Sequence, residues 1–140
     1  MKKNMKSDKP ELLSAVSIDA LPPSVNHAYC RSRRGTFKTA EAKAWQERAA
    51  YELFRARTRQ EPYADKVEVR IGMFKRDRRE RDLDNLMKLA MDAIQDSGVI
   101  RDDRQIYSIV AEKAVGCGRD CLTIEVRTME QRSDDHADLR

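Results

Sequence analysis

Residues 66–74, KVEVRIGMF, alternate in polarity: Val67, Val69, Ile71 and Met73 fall on one side, Glu68 and Arg70 on the other. Successive side chains of a strand point to opposite faces, so this stretch predicts a β-strand with one dry and one wet face. Such a strand needs neighbours beside it and a cover over its dry face. The same alternation returns in CLTIEVR, with Leu122, Ile124 and Val126 opposed to Thr123, Glu125 and Arg127. IYSIVAEKAV reads as a further strand, joined to the last one by a hairpin-like turn through GCGRD, with Gly116 and Gly118. A short first strand is expected in AVSIDA, residues 15–20, stopped by Pro22 and Pro23, which cannot donate to a ladder.

The cover comes from two stretches with helical spacing. Ala42, Trp45, Ala49, Leu53 and Ala56 recur on one face, and Thr39 stands where a helix N-cap is expected, so a helix is predicted from Ala40 to Arg57. Trp45 lies on that apolar stripe and is expected in the core. A second stripe, Leu83, Leu86, Met87, Ala90 and Ile94, ends at Gly98, a residue suited to a helix stop. The order strand, helix, strand, helix, strand, strand predicts an α+β fold: a small single domain with a mixed four-stranded sheet and two main helices.

The chain of 140 residues suffices for one core, expected over residues 12–128. It lies between a basic stretch, 1–11, and an acidic tail, 129–140, both expected to fray. No apolar run approaches the roughly 20 residues that cross a bilayer, and the first residues carry no apolar signal core. A cytoplasmic protein without a membrane partner is expected. Cys30, Cys117 and Cys121 form no even disulfide set. The CGRDC spacing lacks a second pair to complete a zinc site, so free thiols are expected. Net charge is +4; the lysine-rich start and the acidic end cancel, which leaves that excess on the middle of the chain. A charge this modest argues for nucleic-acid binding only if it is clustered.

It is clustered, around acids. In RRERDLDNLMKLAMDAI, Asp82 and Asp84 stand at the mouth of the second helix behind Lys75, Arg76, Arg78, Arg79 and Arg81. One reading is structural: Asp82 caps the helix, and Asp84 pairs with Lys88 one turn on. The basic frame favours another. A cap needs no arginines around it, whereas a phosphodiester does, because the flat guanidinium fork matches phosphate oxygens. A second acid pair, Asp102 and Asp103, sits between Arg101 and Arg104 in the linker after the helix. If that linker returns along the helix, Asp103 joins Asp82 and Asp84. Three carboxylates select a hard cation, Mg²⁺ or Mn²⁺, and such a cation relieves their mutual repulsion. Lys88 then stands where an ammonium offsets charge on a reacting phosphate. A further basic segment, CRSRRGTFK, adds Arg31, Arg33, Arg34 and Lys38. Phe37 and Phe74 flank basic stretches and are expected to be buried against the sheet or a partner rather than to act as wedges between bases.

Three segments, LPPSVNHAY, RRERDLDNLMKLAMDAI and GVIRDDRQI, resemble the RusA family of Holliday junction resolvases, small endonucleases of bacteria and their prophages. The resemblance runs from about Ser14 to Val126. It implies a homodimer that binds four-way or branched DNA and makes paired, Mg²⁺-dependent nicks in recombination and repair. By position it implies that Asp82, Asp84 and Asp103 are the catalytic metal-binding acids, that Lys88 is the essential lysine, and that Asp102 is at most a helper. The alternative is a module that binds branched DNA without cutting it, but such a binder gains nothing from carboxylates beside phosphates.

Overall fold

The computed structural model describes residues 9–23, 28–79 and 83–129, without the side chains of 83–85. Among the described residues the named elements follow in the order β1 (Leu12–Ile18), β2 (Tyr29–Ser32), β3 (Gly35–Lys38), α1 (Ala40–Arg55), β4 (Val67–Phe74), α2 (Leu83–Ser97), β5 (Ile106–Ala114) and β6 (Cys121–Thr128). A single 3-10 turn, Asp103–Gln105, precedes β5.

The main sheet has the order β1-β6-β4-β5. β6 runs antiparallel to both β1 and β4, while β5 runs parallel to β4, so the sheet is mixed. The alternation of β4 and β6 is fulfilled: Val67, Val69, Ile71, Met73, Leu122, Ile124 and Val126 are all buried. They meet Ala42, Trp45, Ala49 and Leu53 of α1 and Leu86, Leu89, Ala90, Ala93 and Ile94 of α2 in one core. Trp45 is in that core, and its Nε1 donates to the Ala20 carbonyl at 2.9 Å, which satisfies the one polar atom the indole buries.

Local chemistry sets the boundaries. The Thr39 hydroxyl accepts from Ala42 N at 3.3 Å and caps α1. α2 stops at Gly98, whose φ of 79° lies in the left-handed region that glycine enters without strain. Ser97 secures that end, donating to the Ile94 carbonyl at 2.7 Å and accepting from Val99 N at 3.2 Å.

Two expectations need correction. β5 and β6 do not form a hairpin: β4 lies between them, and the GCGRD turn carries the chain across its end. β1 also begins earlier than expected, at Leu12, because Leu13 packs into the core and the ladder to β6 shifts register between Leu12 and Ser14. The basic segment CRSRRGTFK folds as the β2–β3 hairpin, a separate two-stranded sheet. Among the described residues no helix is long and apolar enough to cross a membrane. All three cysteines are free, with Cys30 and Cys117 exposed and Cys121 buried.

Candidate active site

α2 leaves the sheet from the C-terminal end of β4. Asp84 is the second residue of this helix; Asp82 and Arg81 lie outside the described residues. The connection that leads there, residues 75–79, is pinned against the β5–β6 turn. Lys75 N donates to the Ala114 carbonyl at 2.8 Å, Gly116 N to the Asp77 carbonyl at 2.7 Å, and Cys117 N to the Lys75 carbonyl at 2.9 Å. The Asp120 carboxylate takes Arg76 N at 2.7 Å. Asp77 closes the loop on itself, accepting from Lys75 Nζ and from Arg79 N, both at 2.9 Å. The Lys75 ammonium is the main reason the Asp77 carboxyl is held below its ordinary range, with the Arg79 amide next.

This divides the basic residues by role. Lys75 is largely buried and committed to Asp77. Arg76, Arg78 and Arg79 remain exposed at the end of the sheet from which α2 starts. Backbone bonds fix the connection, so their guanidinium groups project from a defined strip.

The β2–β3 hairpin is stapled along α2 at two points one turn apart. Lys38 Nζ meets Asp92 at 2.8 Å, and Lys88 Nζ lies 4.9 Å from the centre of the Tyr29 ring. Lys38 therefore holds the fold, and its charge is already answered. Lys88 is exposed, one turn after Asp84, with its ammonium positioned by an aromatic face. Arg31, Arg33 and Arg34 occupy the exposed hairpin tip, together with Phe37, which is 44% exposed. Phe37 is thus not buried against its own sheet, whereas Phe74, the last residue of β4, is half-buried.

The second acid pair lies at the other end of α2. Asp103 N donates to Gln95 Oε1 at 2.6 Å, which ties this residue to the last turns of the helix. Asp102 caps the 3-10 turn: its carboxylate accepts from Arg104 N at 2.8 Å and forms a capping box with Gln105. That amide is the main reason the Asp102 carboxyl sits below its ordinary range. Gln105 fastens the turn to the body. Its Oε1 accepts from the amides of Arg101 and Asp102, and its Nε2 donates to the carbonyls of Tyr63 and Asp65, all at 2.8 Å. Asp102 is spent on structure, while the Asp103 side chain stays exposed.

The linker therefore does not return along the helix. Gln95 stands eleven residues after Asp84, about 16 Å along the axis at 1.5 Å per residue. Among the described residues no three His, Cys, Asp or Glu side chains gather as a metal site; Asp82 and the Asp84 side chain lie outside that description. The sequence pattern singled out Asp84, Lys88, Asp103 and the arginines. It missed Tyr29, Gln95 and Gln105, which position them. Of these only Gln105 left a local signal, the D-x-x-Q spacing of a capping box after Asp102.

The family described as Endodeoxyribonuclease RusA matches residues 20–127, well over half of the chain. The chain belongs to the RusA family. Among its curated relatives, the crossover junction endodeoxyribonuclease RusA of Escherichia coli strain K12 is 37% identical over 105 residues, 74% of this chain and 87% of that protein. The protein of the same name from Enterobacteria phage 82 is 36% identical over 105 residues, with the same coverage. The one from Aquifex aeolicus is 28% identical over 114 residues, 81% of this chain and 90% of that protein. As a RusA-family nuclease, this protein carries within the matched span the hairpin, both helices, the basic connection and the linker with Asp103. Of the main elements only β1 precedes it.

Proposed function

We propose that this protein is a divalent-cation-dependent endonuclease that resolves four-way DNA junctions, acting as a homodimer that makes paired, symmetric nicks. The observation that carries the reading is the end of the sheet where α2 begins. There the acid-bearing first turn of the helix emerges from a rigid connection with Arg76, Arg78 and Arg79 exposed beside it. The shared name of the curated relatives, crossover junction endodeoxyribonuclease, supports the substrate class.

The donor set fits a hard cation. Asp82, Asp84 and Asp103 offer only carboxylate oxygens, which suit Mg²⁺ or Mn²⁺. Bound there, such a cation supplies a more acidic water and charge neutralisation at the phosphodiester. The chain's own residues do the rest. The arginines of residues 76–79 and the hairpin hold backbone phosphates and set their register. The Lys88 ammonium, held over Tyr29, offsets negative charge as it grows on the phosphate oxygens.

The placement of the acids supports the dimer. Asp103 is tied to Gln95 in the last turns of α2, about 16 Å along the axis from Asp84, which favours a site that draws its two acids from different copies. A two-fold dimer supplies the missing carboxylate from the partner and gives two equivalent sites for two strands.

The test is cleavage of a synthetic four-way junction by the full chain, with and without Mg²⁺, alongside Asp82→Asn. Symmetric nicks are expected only with Mg²⁺ and only from the unmutated protein. Junction binding with no cleavage under any condition would point instead to a non-catalytic module. Cleavage that survives in chelator overturns the metal-dependent reading.

A further inference from the structure

Among the described residues four aromatic rings are exposed: Phe37, Tyr51, Phe54 and Tyr107. Three of them carry a cation on the ring face. Arg55 lies over Tyr51 at 5.8 Å, Arg57 over Phe54 at 3.8 Å and Lys66 over Tyr107 at 4.9 Å. The negative face of each of these rings is thereby answered within the domain. Phe37 differs: among the described residues no cation lies over it.

Register shows where that ring points. Across the hairpin Tyr29 is paired with Lys38, and Cys30 with Phe37. Tyr29 and Lys38 face α2, where they meet Lys88 and Asp92. Successive side chains of a strand alternate, so Cys30 and Phe37 face away from the helix. Both are exposed. The hairpin thus turns one face to the domain and holds a bare phenyl ring out on the other.

The charge around the ring says what covers it. From Ala20 to Ala40 the chain holds no acid, yet it holds Arg31, Arg33, Arg34 and Lys38. Lys38 is answered by Asp92, while the three arginines are exposed. A second copy of the hairpin would bring the same positive charge, whereas a polyanion is attracted. An intact duplex offers phosphates to the arginines but no base face to the ring, because its bases are stacked on one another. A branch point offers both, and an aromatic side chain accepts the face of any base.

We propose that Phe37 stacks on a nucleobase freed at the branch point of the DNA, while Arg31, Arg33 and Arg34 hold the phosphates beside it. This rests on the junction-resolving reading above and says how branched DNA is told from linear duplex. Phosphate contacts alone do not make that distinction; a stacked base does. The hairpin is placed for the task. Lys38, the neighbour of Phe37, is bound to Asp92, which follows Asp84 by eight residues, about 12 Å along α2. One turn of duplex is about 34 Å, so a single branch point reaches both the ring and the acid-bearing start of the helix.

The test compares binding of the full chain to a synthetic four-way junction and to linear duplex of the same sequence, with chelator present to hold back cleavage. The ratio of the two affinities is the readout. Phe37→Ala, folded by circular dichroism, is expected to lower that ratio about 10-fold, the scale of one lost base stack. Phe37→Trp is expected to keep it. Arg33→Ala is expected to weaken both complexes and leave the ratio alone, as loss of a phosphate contact does. A second measurement keeps the ring in place. Cys30 stands opposite Phe37, and Cys117→Ser makes it the one exposed thiol. A junction with a disulfide-tethered base at its branch point is expected to exchange with Cys30, and one tethered in mid-arm to stay unlinked. An unchanged ratio in Phe37→Ala, or a crosslink as strong in mid-arm as at the branch, overturns the base contact and leaves the junction reading standing. Conversion of a dimer to a monomer by Phe37→Ala would show the ring covered by a second copy and overturns it too. If the unmutated chain holds duplex as tightly as junction, the junction reading itself falls.

Discussion

The two ends of α2 hold acids in opposite ways. At its start, Asp84 follows a connection whose backbone is pinned by Asp77 and Asp120, with arginine side chains left outside. At its finish, Asp103 is held by its own amide on Gln95, beside a turn that Asp102 and Gln105 lock to the body of the domain. One end is organised to receive a polyanion; the other presents a single carboxylate at a fixed place. A helix is a rigid spacer, so the fold holds these two features at opposite ends of α2 within one copy.

The largest effect expected from this comparison comes from mixing mutants. Asp84→Asn and Asp103→Asn are each expected to lose junction cleavage by more than about 100-fold, beyond the loss typical of outer-shell partners at metal sites. If each site takes Asp84 from one copy and Asp103 from the other, a heterodimer of the two mutants carries one site with both losses and one intact site. Mixing the inactive proteins after subunit exchange is then expected to restore nicking of a single strand per junction. If both carboxylates came from the same copy, every site in the mixture would be damaged and none would recover. Nicking assays on end-labelled junctions decide between these.

A smaller effect is expected from Gln95→Ala. It leaves the three acids and the arginines in place but removes the acceptor of the Asp103 amide. The loss in stability should be about 1 kcal/mol, the net worth of one hydrogen bond. Cleavage should fall about 10-fold, the scale for a group that only orients a ligand. The positioning role is read from Mg²⁺ dependence: the concentration for half-maximal cleavage should rise, and excess Mg²⁺ should recover most of the rate. A drop in rate unchanged by Mg²⁺ would mean Gln95 serves stability alone.

The contrast also shows what the sequence makes legible. Elements whose partners are local were readable: Thr39 before a helical stripe, Trp45 on that stripe, and the clean alternation of β4 and β6. Pairing across the sheet was not. Gly116 and Gly118 suggest a hairpin, but β4 enters between β5 and β6 because its dry face is complete and it buries best at the centre. The weaker alternation of IYSIVAEKA was the available sign that β5 lies at the edge. In the site, acids and arginines were legible because like charges and cation frames need a chemical reason. The supports were not: Gln95 reaches Asp103 and Tyr29 reaches Lys88 only through the tertiary fold.

The smallest expected effect concerns the basic end alone and separates it from the other. The Asp77 carboxyl titrates below its ordinary value because the charged form is bound by Lys75 Nζ and Arg79 N. A depressed carboxylate pKa contributes order that is fully present above the unfolded value, about 3.9, and is lost as pH falls through the lower folded value. Lowering the pH through that window should therefore release the Arg79 amide and loosen the arginine strip without opening the core. The amide proton shift of Arg79 should move with an apparent pKa below about 3.9. Asp77→Asn removes that charge, and its Arg79 amide should show no such step. A titration of Arg79 at or above the ordinary carboxylate value would mean that Asp77 does not hold the strip, and that its geometry is set by Asp120 and the β5–β6 turn instead.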